Sequence, residues 1–230
     1  MSTELERPIV TGVIGISSPQ LARYSQFYSR LTTVKRPAGT ALAHAIGQVI
    51  SANRNAISEQ ALETGAQWIW YVDDDQLFEP DTLMRLLDRN VDIVSGLYLQ
   101  RTAPYIPHRY APNGTATDKI FTQPLVQGDS GMSQVHAVGA GCFLIKTDVL
   151  RALEPPYWRL GQITPDGWGD DIDFCNRARA VGFNIWCDLD VPVGHYTVHS
   201  VFPSRDENGI WTTRLMEDQT HIASFPAAYL

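Results

Sequence analysis

The 230-residue chain reads as an α/β protein of one domain, or one domain with an appendage. Apolar, β-rich runs alternate with segments of helical periodicity, and no internal repeat or interdomain linker interrupts them. A hydrophobic content of 44% against 19% charged residues supplies enough for one sizeable core and excludes a wholly disordered chain.

The elements follow in order. Residues 8–16, PIVTGVIGI, form a first strand that stops at Ser17-Ser18-Pro19, where Ser18 is placed to cap a short helix with Pro19 at its first position. From about Leu42 to Leu62 apolar residues recur at helical spacing (Ile46, Val49, Ile50, Ala56, Ile57, Ala61), and Gly65 is placed to end that helix. The run AQWIWYV is continuously apolar, as expected of a strand buried on both faces. After three aspartates, Pro80 opens a helix with Leu83, Leu86 and Leu87 on one face and an end near Asn90. VDIVSGLYL is the next strand, and two more lie in VHAVGAGCFLIK and FNIWCDLD. Helices are expected at TDVLRALE, capped by Thr147, and at DDIDFCNRARAVG, closed by Gly182. Residues 101–134, with four prolines and three glycines, and the tail from about Ser200 fit no regular element.

The formal charge of −7 gives no overall basic footprint for nucleic acid, although Arg23, Arg30, Lys35 and Arg36 form a local basic cluster. Cys142, Cys175 and Cys187 are far apart and form no CxxC pair, so reduced thiols are expected rather than a disulfide framework or structural zinc. The start MSTELERPIV lacks the pattern of a signal peptide and no run has the length of a membrane span, which points to a soluble, cytoplasmic protein.

Two acidic clusters carry the functional reading. Asp73, Asp74 and Asp75 end the WIWYV strand, and ligands of open α/β sheets bind outside the carboxyl ends of strands. Three adjacent carboxylates repel unless solvated or neutralised by a cation, and oxygen ligands suit Mg²⁺ or Mn²⁺. Alternation along an extended backbone turns Asp73 and Asp75 to one side and leaves Asp74 as a supporting or solvated group. A bland alternative is a polar loop preceding the Pro80 helix, where acids are favoured by the helix dipole. Asp170, Asp171 and Asp173 start a helix, where the dipole alone would also favour them. Trp168 and two glycines precede this cluster, and a carboxylate against such an apolar wall has the raised pKa of a general base. His195, after the break at Pro192 and Gly194, is either an ordinary polar residue or a ligand; His199 would pair with it only on a helix, which the surrounding residues oppose.

Taken in order, SANRNAISEQALETGAQWIWYVDDDQLFEPDTLMRLL, VSGLY, VGAGCFLIKTDVL, GWGDDIDFCNRARAVGFNIW and VGH resemble the GT-A glycosyltransferases, most closely their large inverting family with small bacterial and phage members. The match covers most of residues 8–196. It implies a GT-A, Rossmann-like fold over residues 1–200, in which a mixed, mainly parallel sheet carries helices on both faces. Residues 101–134 would then be an acceptor-side insertion, and 201–230 a tail on or near the active site. Asp73 and Asp75 resemble the DxD motif that holds Mn²⁺ or Mg²⁺ against a nucleotide-sugar diphosphate, with Asp74 beside them and His195 completing the metal shell. Asp170-Asp171 resembles a Glu-Asp pair whose second acid is the general base; Asp170 stands where the family has Glu, which leaves the choice between the two open.

By the same resemblance, Ser17 and Pro19 fall where the nucleotide base is received, and Arg54-Asn55 matches an Arg-Asn element near the donor. Arg54 could equally be a solvated helix residue. Gly139-Ala140-Gly141 looks like the small-residue segment that admits the donor sugar, and Trp168 would stack on an acceptor ring. The expected reaction is transfer from a UDP-sugar to an acceptor hydroxyl on a glycan, a protein or a modified nucleic-acid base. Two other readings are a metal-dependent nucleotidyltransferase, disfavoured because GISSPQLAR holds no lysine for a phosphate loop, and a non-catalytic nucleotide-sugar binder. A glycoside hydrolase would need two carboxylates but neither nucleotide nor metal.

Overall fold

Continuous apolarity in WIWYV has the expected consequence: the segment is a strand covered on both faces. In the computed structural model, which describes residues 9–18, 25–47, 49–113, 116–160, 169–197, 200–217 and 220–226, its side chains alternate between two cores. Ile69 and Tyr71 point into one, and Trp68, Trp70 and Val72 into the other.

In chain order the strands are β1 (Gly12–Ser18), β2 (Thr40–Ile46), β3 (Trp68–Asp73), β4 (Gln76–Leu77), β5 (Ile93–Leu97), β6 (Arg109–Asn113), β7 (Ala116–Thr122), β8 (Met132–Val135), β9 (Ala137–Val138), β10 (Cys142–Lys146), β11 (Ile185–Pro192), β12 (Gly194–His195), β13 (Ser200–Arg205), β14 (Trp211–Glu217) and β15 (Thr220–Pro226). The helices are α1 (Ser25–Thr33), α2 (Ile50–Glu63), α3 (Thr82–Asp88), α4 (Thr147–Arg151) and α5 (Asp170–Ala180). The main sheet has the order β2-β1-β3-β10-β5-β11-β8; β10 and β8 run antiparallel and the other five strands share one direction. Side chains of α2, α4 and α5 pack into the core on one face, and those of α1 and α3 into the core on the other. This is the expected α/β class, a mixed sheet with helices on both faces.

Several local expectations need correction. Residues 42–46 are not the start of a helix but belong to the edge strand β2, and α2 begins only at Ile50. In TALAHAI, Ala41, Ala43 and Ala45 turn inward while Leu42, His44 and Ile46 face outward, a period of two that the helical reading mistook for a sparse period of 3.6. Gly65 does end α2, with φ +72°. The expected strand through VHAVGAGCFLIK is broken by Gly139-Ala140-Gly141 into β9 and β10. Thr147 does not cap α4 with its side chain; its hydroxyl donates to the Ala66 carbonyl at 2.7 Å and ties the helix to the chain before β3. The helix expected at Pro19 falls outside the described residues.

The two segments without sequence pattern are also ordered into strands. Residues 101–134 contain the β6–β7 pair, joined to β9, and the tail forms β13–β15, an antiparallel sheet extended through β12 to β4. Both reach the main core, the insertion through Tyr110 and Leu125 among others and the tail through Trp211. Arg109 is buried within the insertion and donates to the carbonyls of Gln123 and Pro124, while pairing with Asp129 at 2.9 Å. That side chain satisfies a stretch too rich in proline to satisfy itself. No helix among the described residues is long and apolar enough to cross a membrane, and all three cysteines are free and buried.

Gly15 marks where α2 presses on β1, for a Cβ there would overlap the Ile57 Cγ2 methyl in a closed core. Gly15→Ala is expected to cost about 1–3 kcal/mol by overpacking. In thermal unfolding that should appear as a fall of roughly 2–4 °C per kcal/mol.

Candidate active site

Backbone pairing gathers distant parts of the chain at the carboxyl edge of the sheet. Ser17 at the end of β1 lies in register with Asp73 at the end of β3. The Asp73 amide donates to the Gly141 carbonyl at 3.0 Å, which brings the segment before β10 alongside. Asp74 and Asp75 form the turn into β4, and β4 pairs with β12 so that Gln76 opposes His195. The Tyr196 amide then donates to the Asp75 carbonyl at 2.7 Å. Beside this edge stands the first turn of α5, with Asp170 and Asp171. The result is a cleft of about 270 Å³ lined, among others, by Ser17, Arg54, Asp73, Asp75, Asp170, Asp171 and His195.

Arg54 joins the two acidic clusters. It is 3% exposed, so the solvated-helix alternative is excluded. Its Nη2 donates to both oxygens of Asp73 at 3.1 Å, and its Nη1 to both oxygens of Asp170 at 3.0 and 2.9 Å. Burial alone would lower the Arg54 pKa, but Asp73, Asp170 and Asp171 outweigh it and hold the guanidinium charged above its ordinary range. Trp158 lies beneath, 5.1 Å from Arg54 Cζ to the ring centroid. Asn55 turns the other way: its amide donates to the Trp158 carbonyl and accepts from the Trp158 amide at 2.7 and 3.0 Å, so it anchors that loop and does not reach the cleft.

The remaining carboxylates differ in surroundings. Burial pushes Asp73 up to about 6, a rise that Arg54 opposes and Asp75 reinforces. Asp75 accepts from Arg101 Nη1 at 3.0 Å and lies 3.5 Å from His195 Nε2. His195 Nδ1 donates to the Leu99 carbonyl at 2.9 Å, which directs the other ring nitrogen toward Asp75. Asp171 is raised by burial and accepts from the Ile172 amide at 2.8 Å, and Gly169, two residues earlier, lets its carboxylate lie close against the backbone. Asp74 is fully buried, so it is not a solvated group, and it does not line the cleft. Strand alternation anticipated that separation of Asp74 from its neighbours, although a turn rather than an extended strand produces it.

Gly139 has a packing reason to be glycine: a Cβ would run into the Tyr98 hydroxyl, and the residue does not line the cleft. Ala140 and Gly141 do line it, and the Gly141 amide donates to the Tyr98 hydroxyl at 3.0 Å. Tyr98 stacks on His108 with centroids 4.7 Å apart, and burial, helped by His195 and Arg101, pushes His108 down to about 3 and keeps it neutral. Tyr98, Arg101 and His108 all line the cleft and were missed from sequence. Tyr98 and Arg101 follow the carboxyl end of β5, so the strand-end rule applied to Asp73 would have found them. His108 comes from the insertion, and no local signal marks it. Pro19, Trp168 and His199 lie outside the described residues.

The donor chemistry of Asp73, Asp75 and His195 suits a hard divalent cation, and the last two are close enough to share one. In formal charge the cleft holds four carboxylates against two guanidiniums, an excess of two negative charges that such an ion would cancel. Among the described residues, however, no three histidine, cysteine, aspartate or glutamate side chains converge as a preformed metal cage. Arginines hold both Asp73 and Asp75 instead.

No protein-family model matches the chain, and no curated protein matches it by sequence. Among solved structures it is similar to A197 from STIV, with 15% identity and a TM-score of 0.63 over 92% of this chain and 96% of that one. Looser overlaps, with TM-scores of 0.49 and 0.48 and 13% identity, are found with S. aureus TarS 1-349 in complex with UDP-GlcNAc and with S. aureus TarS. They cover 78% of this chain but only 56% and 35% of those. The chain has a mixed α/β fold of GT-A type.

Removing Arg54 would leave Asp73 and Asp170 sharing a buried site without their counter-ion. Arg54→Ala is expected to destabilise the protein by about 3–5 kcal/mol in denaturant unfolding, against at most about 1 kcal/mol for an exposed pair such as Arg151–Asp148.

Proposed function

We propose that the chain is a glycosyltransferase that moves a sugar from a nucleotide-sugar donor, a UDP-sugar in the first instance, to an acceptor hydroxyl with inversion. The observation that carries the proposal is the convergence of two acidic clusters 97 positions apart on one cleft at the carboxyl edge of the sheet, tied together by Arg54. Two carboxylates in one cleft would also serve a glycoside hydrolase, and a requirement for a sugar nucleotide and Mn²⁺ distinguishes the transferase from it.

In this reading Ser17 receives the nucleotide base, and Ala140 and Gly141 admit the donor sugar. Asp73, Asp75 and His195 hold Mn²⁺ or Mg²⁺, whose chemistry when bound is to neutralise charge on the diphosphate leaving group. Arg54 keeps Asp73 oriented and fixes Asp170. Because both Asp170 oxygens face Arg54 Nη1, Asp171 is the acid left to act as base. As the acceptor oxygen bonds to the anomeric carbon, its proton passes to Asp171. The bond from that carbon to the phosphate oxygen breaks, and its electron pair leaves on the nucleoside diphosphate.

Incubation with Mn²⁺ and a panel of sugar nucleotides tests the reading through its products. Nucleoside diphosphate release supports glycosyl transfer, pyrophosphate release would indicate nucleotidyl transfer, and tight binding without turnover would indicate a binder. Asp171→Asn is expected to lower transfer roughly 10²-fold or more while donor binding stays within about twofold. Since burial raises the Asp171 pKa, transfer should fall with falling pH at a midpoint above the usual carboxylate value. A pH–rate profile flat through that region would assign the base elsewhere.

A further inference from the structure

The two arginines of the cleft are not equivalent. Arg54 is buried, and both its terminal nitrogens are committed to carboxylates, so it cannot leave them. Arg101 is 46% exposed at the cleft mouth, in the loop after β5, and touches Asp75 through Nη1 alone. A half-exposed ion pair of this kind is worth at most about 1 kcal/mol and exchanges readily. Its partner is in the opposite position, because Asp75 is nearly inaccessible and would be costly to leave without a cation.

We propose that Arg101 and a divalent cation compete for Asp75, and that Arg101, once displaced, becomes the cationic ligand of the donor's diphosphate. The inference rests on the glycosyltransferase reading above and adds a linkage to it. An anionic diphosphate entering a cleft with two negative charges in excess meets repulsion unless positive charge is brought to it. Arg101 can supply that charge, but only if something else takes over Asp75. Cation binding releases Arg101, and Arg101 binding to phosphate removes the arginine's competition for Asp75. Each ligand therefore raises the affinity for the other, by the same factor, through one side chain. The planar guanidinium, with unused donors, suits two phosphate oxygens as well as it suits the carboxylate.

The linkage predicts opposite effects of one substitution. In the full chain, Arg101→Gln removes the competitor for Asp75, so Mn²⁺ measured alone by calorimetry should bind up to about fivefold more tightly. In saturating Mn²⁺, the same variant should bind the tighter of UDP and GDP roughly tenfold or more weakly, for loss of a charge-assisted contact. Arg101→Lys keeps the charge and should lie between wild type and Arg101→Gln in both titrations. Thermal unfolding in saturating Mn²⁺, which gives Asp75 a cation in place of the arginine, is expected near wild type for each variant and verifies that the fold is retained. If wild type binds both Mn²⁺ and a nucleoside diphosphate while Arg101→Gln leaves both affinities unchanged, or weakens both, the competition is overturned and the parent reading survives. If wild type binds neither, both fall together.

Discussion

A single buried guanidinium sets the terms for this site. Arg54 faces Asp73 with one nitrogen and Asp170 with the other, and each contact engages both oxygens of its carboxylate. Without it, the carboxyl edge of the sheet would bring acids from β3 and from the start of α5 together in a low-dielectric setting, which is unfavourable for either cluster. Trp158 supports the guanidinium from below, and Asn55 in turn holds the Trp158 backbone. The helix that carries Arg54 is seated by Gly15, where β1 gives way to Ile57. A chain of contacts thus runs from an ordinary packing position to the centre of the cleft.

A buried ion network of this kind is weak evidence for stability, since well-packed apolar groups of the same volume could do as well. Its effect here is geometric. The fork fixes where Asp73 and Asp170 stand and leaves Asp75 and Asp171 with different environments. Asp75 is accessible to exchange through a half-exposed arginine, whereas Asp171 is raised by burial at the head of a helix. Four carboxylates of one chemical type thereby become four groups with distinct properties.

Much of this was legible in the amino-acid order where local chemistry and tertiary context agree. WIWYV could only be a strand covered on both sides, and the aspartates after it could only sit at its carboxyl end. The helix at Asp170 and its end at Gly182 follow from acids in the first turn and a left-handed glycine, φ +101°. Elsewhere the local signal was ambiguous or absent. TALAHAI alternates small and larger apolar residues, and at an edge that pattern serves a strand as well as it mimics a helix. The insertion and the tail carry prolines and turn residues, and their order comes from long-range anchors: Arg109, Leu125 and Trp211. Arg101 and His108 have meaning only once β5 and the insertion fold over the cleft, so no window of neighbouring residues could reveal them. The glycine at 139 was read as room for a ligand, and it is room for Tyr98.

The order of the main sheet has a consequence for synthesis of the chain. The most apolar strand, β3, has β1 on one side and β10 on the other, yet β10 is encoded some 70 residues later and inserts antiparallel between β3 and β5. Until residue 146 has left the ribosome, the WIWYV segment has one open edge, flanked by aromatic side chains and carrying no charge before Asp73. Such an edge is a template for pairing with another copy of itself. The acids that follow act in that interval as gatekeepers, since like charges stacked in register would oppose the self-pairing that the apolar run invites. Asp73 and Asp75, which line the cleft in the folded protein, thus flank that open edge for as long as β10 is missing.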